Sequence, residues 1–288
     1  MKQSRPNILL LYKTSTYSYY FDSRRQNKKH VMPTKNVARF KKTHLQHYKT
    51  LVHVEEFLRK EGVRYCYSRR GQRIDFSQFD FVITVGGDGT FLEAARQCTK
   101  QVILGINSDP EWSVGSFCGA DDKSFPKILR AMLNKKAPIR SLTRLSLQIK
   151  GSKKSINVLN DVLICHANPA AMSRYIVRVN GKKEEQRSSG LWVATAAGST
   201  GAIRSAGGKI LPMLSDRWQY MPRELYNGYY QKHHLKGGVL LPPQTLSTTS
   251  LMNNGVVYVD GCHVKYPLRF ADEVVLKKSA QPLKVIMP

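Results

Sequence analysis

The chain has 288 residues, 41% of them hydrophobic, which is enough for one large domain or two smaller ones. Its 46 Lys and Arg against 20 Asp and Glu give a net charge of +26; this points to anionic partners such as phosphorylated small molecules, nucleic acid or acidic lipid. The absence of an 18-residue apolar run argues against a membrane-spanning helix, and five scattered cysteines without a CxxC pair argue against a zinc site or disulfide framework.

The first residues lead straight into Ile8-Leu9-Leu10-Leu11, a strand, with neither the apolar core nor the cleavage site of a signal peptide. The expected location is the cytoplasm. Residues 1–50 carry twelve Lys or Arg and one Asp, and Ser23 to Lys42 reads as a polar loop feeding a helix. Leu45, Tyr48, Leu51, Val54 and Leu58 recur at three- and four-residue spacing and predict one helical face, stopped by Gly62. Strands follow at Val63 to Tyr67 and Phe79 to Val85, then a glycine loop, a helix, and a strand at Val102 to Ile106. A further helix spans Lys123 to Lys136, ended by Pro138. This alternation predicts an α/β domain with a mostly parallel sheet, whose ligands belong at the carboxyl ends of the strands.

From about Leu142 the texture changes to short β-rich runs. The clearest are Leu145 to Ile149, Ile156 to Ile164, Tyr175 to Val179, Leu191 to Ala196 and Val256 to Val259, with turn signals at Asn180-Gly181 and Asp260-Gly261. They predict a mainly antiparallel, sandwich-like second domain. The expected division is 1–139 for the α/β domain and 140–278 for the β-rich domain, with the tail of about 279–288 packing back on the first. Residues 212–253 show little pattern and read as an extended surface insertion.

Gly86-Gly87-Asp88-Gly89-Thr90 sits between the third strand and the helix start Phe91-Leu92-Glu93. Glycines let the backbone approach a ligand closely, and N–H groups at a helix N-terminus favour phosphate. A carboxylate there repels phosphate unless it serves a metal or takes a proton from an attacking hydroxyl, so the loop points to phosphoryl transfer. Asn160-Asp161 lies inside an apolar run, where adjacent polar groups need partners; an amide and a carboxylate suit adenine nitrogens and ribose hydroxyls. Ser188 through Gly201 and Ser205-Ala206-Gly207-Gly208 put small and hydroxyl residues where a base or phosphate could meet the backbone.

These elements, with Val259-Asp260-Gly261, resemble the NAD kinase family in order and spacing. Arg187-Ser188-Ser189-Gly190, Asn107-Ser108-Asp109-Pro110 and Gln219-Tyr220-Met221-Pro222-Arg223-Glu224 resemble the NADH kinase branch known from plants. The resemblance implies transfer of the ATP γ-phosphate to the 2′-hydroxyl of the adenosine ribose of NADH or NAD. It implies Asp88 as the catalytic base; Gly86, Gly87, Gly89 and Thr90 on phosphates; and Asn160, Asp161, Ser189, Thr195, Ala197, Ser199, Thr200, Gly201 and Ser205 on the dinucleotide. It further implies Mg²⁺ bridging the nucleotide phosphates, and a homo-oligomer, dimer or tetramer.

Two positions depart from the family pattern. Ser189 stands where many NAD kinases have an aspartate toward the nicotinamide. That loss removes a preference for the cationic, oxidised ring, so NADH is expected to be accepted well. Gly201-Ala202 replaces Ala-Tyr, so an aromatic partner for the base is missing or comes from elsewhere, such as Tyr220. Two other readings compete. A lipid kinase of the diacylglycerol or sphingosine type shares the glycine loop, and Glu93 echoes it. A nucleic-acid binder would use the charge and Tyr17, Tyr19, Tyr20 and Phe21 beside Arg24-Arg25, but no recognised binding motif accompanies them.

Overall fold

A computed structural model describes residues 6–22, 34–228 and 232–287. The chain divides into two compact units, one of residues up to 140 together with 284 onward, the other of 141–283. In the first, β1 (Asn7–Tyr12), α1 (Thr34–Lys60), β2 (Arg64–Arg69), β3 (Phe81–Gly86), α2 (Asp88–Gln97), β4 (Val102–Asn107), β5 (Ala120–Asp121), α3 (Phe125–Leu133) and β6 (Ile139–Leu142) follow in order. The second holds β7 (Leu145–Ile149), β8 (Ile156–Val158), β9 (Asp161–His166), β10 (Ser173–Val179), β11 (Lys182–Ser188), β12 (Gly190–Thr195), α4 (Ala202–Ser205), β13 (Trp218–Arg223), β14 (Gly238–Leu240), β15 (Thr245–Ser250), β16 (Gly255–Val259), β17 (Val264–Leu268) and β18 (Glu273–Lys278). The last strand, β19 (Leu283–Ile286), returns to the first sheet.

The first sheet runs β2-β1-β3-β4-β19-β6, and β1 to β4 are parallel. β1, β3 and β4 are near-continuous apolar runs because both faces are covered. α1 and α3 cover one face with Leu51, Val54, Leu58, Phe125 and Leu129. α2 covers the other, where Gly105 leaves room for the Phe91 ring.

Two expectations for α1 change. It begins at Thr34, so the end of the expected polar loop is helical, while residues 23–33 lie outside the described residues. Leu45 and Tyr48 are exposed; the buried stripe begins with His47 and Thr50 and continues through Leu51, Val54 and Leu58. Its start was hidden because the inward residues there are polar. Arg24-Arg25 also lie outside the described residues.

The second unit is a sandwich of two antiparallel sheets, ordered β11-β10-β15-β18-β7-β8 and β14-β13-β12-β9-β16-β17. Leu147, Tyr175, Val177, Leu246 and Leu276 of one face meet Ile164, Leu191, Val193, Trp218 and Val257 of the other. β10 and β11 are joined by Asn180 (φ 50°) and Gly181 (φ 78°), a two-residue turn with both angles positive.

The apolar run from Ile156 to Ile164 is not one strand. β8 ends at Val158, and the chain bends through Leu159-Asn160 before β9 begins in the other sheet. Residues 212–253 are not a surface insertion either. They supply β13, β14 and β15, with Trp218, Tyr220 and Leu246 in the core. The stretch around His233 is pinned by the Glu184 carboxylate, which meets the His233 ring (2.9 Å) and accepts from the His234 N–H (2.7 Å).

Candidate functional site

Two constellations hold the residues singled out from the sequence, one in each unit. In the first, β3 ends at Gly86, Gly87 is extended and caps α2, and Asp88 opens the helix. A Cβ at Gly86 or Gly87 would stand 2.5 Å from the Thr90 or Ser113 hydroxyl oxygen, so this turn requires glycine. Asp88 is therefore the first residue of a helix rather than the apex of a free loop. Its carboxylate accepts the N–H groups of Ser116 (3.1 Å) and Phe117 (2.9 Å), and a helix N-terminus favours negative charge.

Thr90 does not present a free N–H. It donates to the Gly87 carbonyl (3.0 Å), and its side chain is buried beneath the turn. The N–H groups of Asp88 and Gly89 remain as the first-turn donors of α2. Glu93 accepts from Arg70 Nε (2.6 Å) and the Gly71 N–H (2.7 Å), so it holds the loop after β2 in place.

Lys13 and Arg70, at the ends of β1 and β2, were not legible as site residues. The Arg70 guanidinium lies 3.2 Å from where a Cβ of Gly89 would stand, and the Lys13 stem 3.5 Å from one at Gly86. Burial lowers the Lys13 pKa while Asp109 opposes that shift. Cys118 is pushed up to about 12 by burial and then by Asp88, with Lys13 acting the other way. The signal for both cations was their place just past a predicted strand, on the edge where ligands gather.

In the second unit, the bend at Leu159-Asn160 is held by Asp260 at the end of β16. Its carboxylate accepts the N–H groups of Leu159 (3.2 Å), Asn160 (2.7 Å) and Asp161 (3.3 Å), and its own N–H donates to the Asp161 carbonyl (2.9 Å). Asp260 takes a left-handed conformation, φ 48°. The sequence marked it as a turn residue and as part of a family motif, but not as the holder of this bend, because its partners lie about a hundred residues earlier.

Asp161 is 6% exposed, and its carboxyl is pushed up to about 7 by burial and then by the neighbouring Asp260. The Asn160 amide donates to it (3.1 Å). Thr195 closes the other side. Its hydroxyl donates to the Leu159 carbonyl (2.5 Å) and accepts the Gly198 N–H (3.1 Å). A Cβ at Gly198 would overlap the Asn160 carbonyl, and one at Gly201 would lie 3.6 Å from the Asp161 carboxylate.

The bend thus brings together Asn160, Asp161, Thr195, Gly198 and Gly201. Ala197 and Ser199 are buried beneath the same loop, and the Ser199 hydroxyl accepts the Leu211 N–H (2.9 Å). Their side chains shape the loop rather than face a ligand. Thr200, Gly201 and Ser205 are exposed. Ser189 is not brought into this cluster. It precedes β12 while Thr195 ends it, which separates them by about 20 Å at roughly 3.3 Å per residue. Tyr220 is buried in the sandwich core.

Residues 22–136 match the family model described as the ATP-NAD kinase N-terminal domain. A probable NADH kinase of Oryza sativa subsp. japonica is 35% identical, the match covering 75% of each chain. The NADH kinase of Arabidopsis thaliana is 32% identical over 84% of this chain and 83% of that one. Among solved structures, an NAD kinase from Archaeoglobus fulgidus in complex with ATP superposes with a TM-score of 0.71 at 21% identity, over 97% of this chain and 93% of that one. Yeast NADH kinase complexed with NADH gives 0.70 at 15% identity, over 99% and 84%. These two likenesses carry the fold.

Proposed function

Since the chain belongs to the NAD kinase family, we propose that Asp88 is the base of its reaction, the phosphorylation of NAD(H) to NADP(H) with ATP as donor. The observation that carries this reading is the carboxylate at the N-terminus of α2, held by two N–H groups from residues 116 and 117. That hold aims a proton acceptor without engaging a cation. Asp88 takes the proton of the 2′-hydroxyl as the phosphoryl group arrives. The first-turn N–H groups, with Arg70 over Gly89, receive phosphate.

Asn160 and Asp161 bind the adenosine part of the acceptor, the carboxylate on a ribose hydroxyl. Gly198 and Gly201 let the acceptor approach the backbone, with Thr200 and Ser205 at the open edge. Among the described residues no cluster of three or more His, Cys, Asp or Glu could hold a metal ion. Mg²⁺ would ride on the nucleotide phosphates, with Asp109, which lines the cleft that holds Lys13 and Ser113, as the nearby carboxylate. Bound there, it would neutralise charge developing on the transferred group.

Acceptance of NADH is part of the proposal. Ser189 brings no negative charge to favour the cationic ring, and its distance from Thr195 means that it meets an acceptor extended along β12 or one held by another copy of the chain. A homo-oligomer and a cytoplasmic location belong to the same reading. Among the described residues no helix is long and apolar enough to cross a membrane.

The test is NADPH and NADP formation from ATP-Mg²⁺ with NADH or NAD, in the wild type and in Asp88→Asn. The variant is expected to lose about 10²–10⁴ in kcat, the range of a general base, with both KM values little changed. Retained turnover would remove Asp88 from its role, and a strong preference for NAD would remove the argument from Ser189.

A further inference from the structure

The segment that leaves β13 and enters β14 is tied to the edge strand β11 at one carboxylate. One oxygen of Glu184 accepts the N–H groups of His234 (2.7 Å) and Leu235 (3.2 Å). Its other oxygen meets the Gln186 amide (2.7 Å) and His233 Nδ1 (2.9 Å). Burial works against the charge, but these hydrogen bonds outweigh it and hold the carboxyl below its usual range. An ionised carboxylate only accepts, so Nδ1 donates. The other ring nitrogen, Nε2, meets the Tyr226 carbonyl (3.1 Å), which also only accepts. Turning the ring over would set carbon against both oxygens. The ring therefore carries both protons, and its side chain is 1% exposed.

Glu184 and His233 thus form a buried ion pair. Such a pair adds little net stability over apolar residues of the same size, so its use lies in what it positions. It fixes the carbonyl of Tyr226. On the other side, the Tyr226 N–H donates to the Arg187 carbonyl (2.9 Å). Arg187 stands two residues before Ser189, roughly 7 Å away at about 3.3 Å per residue. The Ser189 N–H in turn donates to the Arg223 carbonyl (2.9 Å), at the start of the same segment. With both backbone groups engaged, Tyr226 is still 47% exposed. Gly228 lies at the ring's edge, where a Cβ would stand 3.4 Å from it.

We propose that Tyr226 is the aromatic contact for the nicotinamide ring of the acceptor, presented beside Ser189 by the Glu184–His233 pair. The assignment rests on the reading of Ser189 as the nicotinamide end. A tyrosine face stacks on a flat, neutral ring without needing a charge, whereas Ser189 brings only a hydroxyl. Tyr220 is enclosed in the sandwich core and has no face to offer.

The test uses Tyr226→Ala, Tyr226→Phe and His233→Asn. Each is titrated calorimetrically with NADH and with ADP-ribose, which lacks the nicotinamide, and then assayed for NADPH formation. Tyr226→Ala is expected to weaken NADH by roughly two- to tenfold, the worth of a ring contact, and to leave ADP-ribose unchanged. Tyr226→Phe is expected to restore NADH binding. The KM for NADH should follow the titrations, while kcat and the KM for ATP hold. His233→Asn is expected to reproduce the loss for NADH alone, and the double variant with Tyr226→Ala to lose no more than either single one. Nitrogen NMR of the folded wild type is expected to show both His233 ring nitrogens protonated.

Equal loss of both ligands in Tyr226→Ala, or loss of neither, overturns the proposal. Additive losses in the double variant, or a neutral His233 ring, overturn the positioning role of the ion pair. Tyr226 is exposed, so its variants keep the test readable if His233→Asn fails to fold. A wild type that forms neither NADPH nor NADP, yet binds NADH through Tyr226, would refute the proposed function and leave this contact standing.

Discussion

At Asp161 two demands oppose each other. The fold buries its carboxyl beside Asp260, which needs its own charge to hold three N–H groups of the bend. Asp161 therefore titrates near 7 instead of in the usual carboxylate range. A raised carboxyl pKa means the folded state prefers the proton. The stability from that proton is fully present below the unfolded pKa of about 4 and is lost as pH rises through about 7. Asp161→Asn should then melt higher than the wild type at pH 8, with the gap much smaller at pH 5.

The same substitution should raise the acceptor KM more than it lowers kcat, because ribose loses its charged acceptor. In the wild type, kcat/KM for NADH should fall below pH 7, by up to about tenfold per unit for a single protonation, and the variant should flatten that limb. Thermal melts at two pH values and a pH–rate profile check both halves. A variant less stable at pH 8 than at pH 5, relative to the wild type, would mean that Asp161 is held as a favourable anion instead.

The loop after β12 works as an element because Gly198 passes against the bend at Asn160. No side chain fits there without moving the Asn160 carbonyl, which also accepts the Thr195 N–H (3.1 Å). Gly198→Ala should destabilise the protein by about 1–3 kcal/mol, as overpacking does, and should raise the NADH KM while leaving ADP binding intact. Equilibrium unfolding and the two titrations check it; unchanged stability would mean that the bend can yield.

The glycines and hydroxyls of this loop were legible because their spacing is local. The bend itself was not, because Val158-Leu159 and Val162-Leu163 are apolar on both sides of it and periodicity alone does not report a crossing between sheets. β13 and β15 were missed for a related reason. Buried Gln219, Thr248 and Ser250 break the apolar alternation that marks a strand. Lys13 escaped because it acts on residues distant in sequence and lies in no motif; Asp260 was marked as part of a family motif, but its hold on the bend was hidden because its partners lie about a hundred residues earlier.

Across the whole molecule, 46 cations face 20 carboxylates, a net excess of 26 positive charges. An excess of that size is not needed for the fold, since the two cores are built from apolar residues. Its effect falls on what approaches. ATP and NADH are both anions, and a positive field raises the rate at which they reach a site. The field reaches ~30 Å at 0.01 M salt but only ~8 Å at 0.15 M.

Added KCl should therefore lower kcat/KM for ATP-Mg²⁺ and for NADH across that range. It should leave kcat nearly constant, because contacts inside the bound complex are screened far less than the approach. The experiment is a steady-state series at fixed free Mg²⁺, with sucrose added at each salt concentration to show whether encounter limits kcat/KM. A flat kcat/KM would mean that the basic surface does not steer these substrates. A falling kcat would place the sensitive charges within the complex, at Lys13 or Arg70, instead of on the surface at large.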